Sequence, residues 1–118
     1  MLPQIEKGTF LIVRTDGSEE LIRKRPTIQA IETAISAETL DTVAVGRARH
    51  DDTVMLVDDA GYEYETIEIA PGHFENRPIR ERKPFNDKAT AFYHAVCSPG
   101  TTHKIVGDVA LCRDSDFA

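Results

Sequence analysis

Thr53-Val54-Met55-Leu56-Val57 carries apolar side chains at four consecutive positions, and nothing else in the chain restricts the fold as tightly. Successive side chains of a strand point to opposite faces, so a run apolar on both faces needs cover on each side of the sheet. The segment therefore predicts a central strand. Composition allows this: 118 residues at 41% apolar supply one modest core and not two.

The flanking segments supply partners and cover. Thr9-Phe10-Leu11-Ile12-Val13 is rich in β-branched and aromatic residues and runs into Asp16-Gly17, a dipeptide suited to a tight hairpin turn. Glu20 to Lys24 reads as the return strand. Ile28, Ile31 and Ile35 then recur at helical spacing beside Ala30 and Ala34, with Thr27 as N-cap and Pro26 keeping the approach extended. Leu40 to Val45 returns to a period of two and breaks at Gly46. After the turn Asp58-Asp59-Ala60-Gly61, the next strand runs from Tyr62 to Ile69. Tyr62 and Tyr64 share one face there with Glu68, and Ile67 and Ile69 share the other with Glu63 and Glu65. The apolar phase slips near Thr66, which predicts a β-bulge and an edge position.

Residues 71–85 form a basic, proline-rich insert (Pro71-Gly72, Pro78, Pro84, with Arg77, Arg80, Arg82 and Lys83), which predicts only short regular structure. Asn86 is placed to cap a second helix, with Asp87 in its first turn, Ala89, Phe92, Tyr93 and Val96 as its buried stripe, and Ser98-Pro99-Gly100 as its stop. Lys104 to Leu111 reads as a last, mostly buried strand before a short polar tail, residues 112–118. The order is β-β-α-β-β-β-α-β, a single domain over residues 1–118. It predicts an α+β fold, a mainly antiparallel sheet of five to six strands with two helices packed on it.

The carboxy half carries three motifs in order: the turn Asp58-Asp59-Ala60-Gly61, the helix start Asn86-Asp87-Lys88-Ala89-Thr90-Ala91, and the strand Ile105-Val106-Gly107-Asp108-Val109. A D/E-x-G turn, an N-x-x-A-T helix start and an I-x-G-D strand in this order resemble a family of small uncharacterised proteins borne by phages and plasmids, over roughly Ile28 to Leu111. The chain departs from that pattern in its Glu-rich strand and in the insert after Gly72. The resemblance implies a mobile-element origin and a small, non-enzymatic role, with no activity to carry over.

Within the motifs, a helix cap explains Asn86, close approach of helix to sheet explains Ala89, and backbone approach explains Gly107. Asp108 in an apolar strand must be paired, hydrogen-bonded or turned to solvent. The histidines His50, His73, His94 and His103 show no metal-binding spacing, so no metal is expected. His50-Asp51-Asp52 reads as solvated turn surface. His94 and Cys97 are i, i+3 and able to form an activated thiolate, but no oxyanion loop or orienting residue accompanies them. Cys97 and Cys112 have no CxxC spacing and read as free thiols. GxGxxG and GxxxxGK[ST] loops are absent, which argues against a nucleotide-hydrolysing enzyme. The chain is thus expected to be no enzyme and to need no cofactor.

Charge frames what is left. Fourteen Lys+Arg against twenty Asp+Glu give −6, which argues against nonspecific binding to nucleic acid. Basic residues gather at Arg23-Lys24-Arg25 and at Arg77, Arg80, Arg82 and Lys83. Two readings follow. In the first, an acidic face with Glu63 and Glu65, or the arginine-bearing insert, engages a host protein or complex as an inhibitor or modulator, a defence system being one candidate. In the second, Arg77, Arg80 or Arg82 holds the phosphate of a nucleotide signal while Tyr62 or Tyr64 stacks on its base. A salt-bridged face opposite Glu63, Glu65 and Glu68 is the structural alternative for the arginines. An exposed edge strand also makes a homodimer an expectation. No apolar run reaches membrane-spanning length and the amino terminus lacks the order of a signal peptide, so the expected location is the cytoplasm, that of the host cell if phage-encoded.

Overall fold

The chain is described over residues 2–46, 52–96 and 103–117 by a computed structural model. Strand β1 (Phe10–Val13) turns at Asp16-Gly17 and pairs with β2 (Glu19–Ile22), Phe10 lying opposite Ile22. The turn is closed by Gly17 N–H donating to Arg14 O at 2.9 Å and by Ser18 N–H donating to the Asp16 carboxylate at 2.8 Å. Helix α1 (Ile28–Ile35) follows, its first turn capped by Thr27 Oγ1, which accepts from Ala30 N–H at 3.1 Å. Ile31 and Ile35 are buried, whereas Ile28, in the first turn, stays exposed.

Strands β3 (Leu40–Val43), β4 (Thr53–Asp58) and β7 (Val109–Arg113) complete a five-stranded antiparallel sheet in the order β2-β1-β7-β4-β3. The expected two-sided burial of β4 is met. Val54 and Leu56 join Phe10, Ile12, Ala110 and Cys112 under α1. Met55 joins Val13, Val109 and Leu111 on the other face, under Ala89 and Phe92 of α2 (Asp87–His94). One helix covers each face, so the domain is an α+β fold with a three-layer core.

Three expectations are corrected. The last strand starts at Val109 rather than Lys104, because Val106 makes only an isolated bridge to Phe85 and Gly107 turns the chain at φ +77°. The tail is not simply polar: Cys112 and Arg113 belong to β7, and Asp116, in a 3-10 turn, is buried and accepts from Gly8 N–H. The insert is also regular. β5 (Tyr62–Ala70) and β6 (His73–Glu81) form a separate antiparallel hairpin across the Pro71-Gly72 turn. Pro78 is tolerated because each strand of a two-stranded sheet is an edge and because a register shift lies beside it, between Glu63 and Tyr64. The second shift falls between Glu68 and Ala70, so irregularities flank Thr66 rather than occur at it. Nine residues of strand span about 30 Å, and the molecule measures 49 × 29 × 27 Å.

Candidate functional site

The hairpin is rooted firmly, and beyond the root most of its residues are exposed. Gly61 N–H donates to Asp58 O at 3.0 Å and Gly61 O accepts from Arg82 N–H at 2.8 Å, closing the root. A Cβ on Gly61 would lie 2.8 Å from the Val106 side chain and 3.1 Å from Asp58 O, so only glycine lets the root sit this close to the 105–107 segment. Lys83 pins the other leg. Its ammonium lies 2.8 Å from the buried carboxylate of Asp58 and donates to Ser36 O at 2.8 Å. Burial works against the Asp58 charge, but the hydrogen bonds from Lys83 and Ala60 N–H and the Lys83 charge outweigh it and hold the carboxyl below its usual range.

Beyond the root every residue of β6 is exposed, as is most of β5. Ile69, Phe74 and Ile79 are 56%, 64% and 50% exposed. Register sorts the two faces. Glu63 lies opposite Arg80, Glu65 opposite Arg77 and Ile67 opposite Glu75; the alternating positions Tyr62, Tyr64, Thr66 and Glu68 face the other way. Arg80 pairs with Glu63, and Arg77 with Glu75 at 3.5 Å. The structure thus puts Glu63, Glu65, Arg77 and Arg80 together on one face as a mixed-charge surface. Tyr62 and Tyr64 stand on the opposite face, away from these arginines. Arg82 is exposed at the root, and Lys83 is committed to the fold.

On the tyrosine side a cleft of about 140 Å³ lies between the arm's base, β3, the end of β4 and the 103–106 segment. Tyr62, Tyr64, Tyr93 and His103 line it together with Asp41, Asp58 and Asp59. Ring centroids of Tyr62 and His103 are 5.3 Å apart, those of Tyr62 and Tyr64 6.2 Å, and Tyr93 meets His103 edge-on at 5.9 Å. The Tyr62 hydroxyl donates to Lys104 O, which fixes that ring. Burial, then the carboxylates of Asp59 and Asp41, push the Tyr64 hydroxyl above its ordinary pKa. Sequence reasoning found Tyr62 and Tyr64 but not Tyr93, His103, Asp41 or Asp59. These four come from α2, a loop, β3 and a turn, and only the fold assembles them.

The motif residues meet elsewhere and hold the fold. Asn86 is fully buried. Its amide donates to Val13 O at 2.9 Å and Gly107 O at 3.0 Å, while its oxygen accepts from Ala89 N–H at 3.0 Å as the helix cap. Thr90 Oγ1 donates to Asn86 O at 2.8 Å and accepts from Ile105 N–H at 2.9 Å. Asp108 accepts from Arg14 at 3.1 Å and from Thr15 N–H at 3.0 Å, so it is paired and partly exposed. Burial, then the nearby acidic residues Asp116, Asp114 and Asp52, push the Cys112 thiol up to about 12, and it is no nucleophile at neutral pH. His94 Nε2 donates to His103 O at 2.6 Å. Cys97, His50, Asp51 and the Ser98-Pro99-Gly100 stop lie outside the described residues.

Among the described residues no three His, Cys, Asp or Glu side chains converge as metal ligands, and no helix is long and apolar enough to cross a membrane. Comparison with protein-family models, curated proteins and solved structures finds no match.

Proposed function

We propose that this chain is a non-enzymatic binding protein, carried by a mobile element, whose β5–β6 arm inhibits or modulates a host protein complex. One observation supports it above the rest: a nine-residue-per-strand hairpin stands off the core with Ile69, Phe74 and Ile79 at least half exposed. A lone two-stranded hairpin is marginal in water, and apolar side chains left exposed along it gain from burial against a partner. The arm's five glutamates outnumber its two arginines, so the complementary surface is basic, such as the nucleic-acid groove of a defence complex. The nucleotide reading receives less support, because Arg77 and Arg80, two of its three arginines, are paired with glutamates on the face away from the tyrosines.

The test places a photo-crosslinking phenylalanine analogue at position 74 and irradiates the protein in host lysate. A defined host complex should be crosslinked, and should be lost from the Ile69→Ser, Phe74→Ser, Ile79→Ser variant while its Tm stays that of the wild type. Crosslinks only to a second copy of the chain, or none, would overturn the proposal.

A further inference from the structure

We infer that the cleft at the base of the arm is a binding site for an organic cation, a guanidinium or alkylammonium group. Tyrosine faces attract cations through their ring quadrupoles, and Tyr62, Tyr64 and Tyr93 all line this one cleft, with His103 between them. Carboxylates complete the match. Asp58 is neutralised by Lys83, but among the described residues Asp41 and Asp59 make no ion pair, and the Asp41 carboxylate accepts from its neighbour's backbone, Thr42 N–H, at 2.9 Å. Lys104 also borders the cleft, yet its ammonium sits 4.8 Å over the Phe85 ring. An anionic ligand would meet two carboxylates that no described cation pairs with, whereas a cation would meet rings and opposite charge. Size agrees: a cavity of about 150 Å³ takes one benzene-sized group, and a space of about 140 Å³ accommodates a single cationic head. The site does not depend on what the arm binds, and an arm without a partner leaves it standing.

The chain has no Trp and three Tyr, all in the cleft, so intrinsic tyrosine fluorescence reports on this place alone. Agmatine, choline and N-acetyl-arginine amide are titrated at constant ionic strength, with AMP as the anionic comparison, and amide chemical shifts are followed in parallel. The cations should saturate the fluorescence change and move Asp41, Asp59 and Tyr64 resonances. Tighter binding of agmatine or choline assigns a free small molecule; tighter binding of the arginine amide assigns a side chain of a protein partner. The Asp41→Asn, Asp59→Asn variant should bind about ten-fold more weakly at unchanged Tm, and Tyr64→Phe, which keeps the ring, should retain binding that Tyr64→Ser loses. Saturation by AMP, no saturation by any cation, or shifts mapping elsewhere would each overturn the inference.

Discussion

Asn86→Ala removes three hydrogen bonds from one buried point, and the loss can be worked out from the structure. The cap to Ala89 N–H contributes about 1 kcal/mol. The amide's two other partners, Val13 O and Gly107 O, lie in the interior, and a buried acceptor left unsatisfied costs about 1–3 kcal/mol. Shared geometry keeps these from adding fully, so the net loss should be about 3 kcal/mol, a large part of a total near 5–15 kcal/mol. Chemical denaturation followed by circular dichroism should show the midpoint falling at constant m. Asn86→Asp sharpens the test. It retains an oxygen for the cap but turns a carboxylate toward two carbonyl oxygens, which favours the protonated acid and raises its folded-state pKa above the unfolded value. Relative to wild type at each pH, that variant should be least destabilised below the ordinary carboxylate pKa and progressively more so as pH rises toward 7. A loss below about 1 kcal/mol for Asn86→Ala, or a pH-independent effect of Asn86→Asp, would refute the reasoning that Asn86 holds β1, α2 and the 105–107 segment together.

The Lys83–Asp58 pair gives the chain an acid-sensitive limb. The Asp58 carboxyl is held below its usual range, so the pair's stabilisation is complete above the unfolded pKa near 4 and is lost as pH falls through the lower folded value; Asp58→Asn should flatten that limb, and Lys83→Met should cost about 2 kcal/mol at pH 7, below the fully buried range because Lys83 is 25% exposed. Urea melts from pH 2 to 7 check both. Cys112, buried and pushed up to about 12, should stay unalkylated by iodoacetamide at pH 8 in the native state and react on unfolding, as peptide mass spectrometry would show.

What was legible in the sequence is what local chemistry decides. Apolar runs fixed β1 and β4, Asp16-Gly17 fixed the first hairpin, and Thr27 and Asn86 were recognisable caps because a side-chain oxygen before a helix has few other uses. The arm was missed for a definite reason. Three prolines and a basic composition across 71–85 read as a breaker, yet proline blocks only an inner strand, and a hairpin without neighbours has two edges. Pro71-Gly72, a turn dipeptide directly after the Tyr62 to Ile69 run, is the signal for it. The cleft was less visible still, since Asp41, Tyr93 and His103 are distant in sequence and carry no periodic relation. Of the arginines the sequence offers Tyr62 and Tyr64 as partners, register places Arg77 and Arg80 on the opposite face of the hairpin, and Arg82 lies at its root.

The motif residues and the arm divide the labour of the chain. Asn86, Thr90 and Gly107 form one hydrogen-bonded knot between helix, sheet and loop, and Gly61 and Lys83 fasten the arm to that same region through Val106 and Asp58. Proteins that resemble this chain in those motifs would therefore share a scaffold, and the motifs alone say nothing of a partner. The Glu-rich strand and the insert that follows it form the segment that, among the described residues, buries least and exposes most apolar surface. A β-arm on a fixed root can change its side chains without disturbing the core, because none of its outer residues belongs to either core cluster. Under the proposed function, partner choice resides in the arm and stability in the knot, so substitutions along Thr66 to Ile79 should alter binding long before they alter folding.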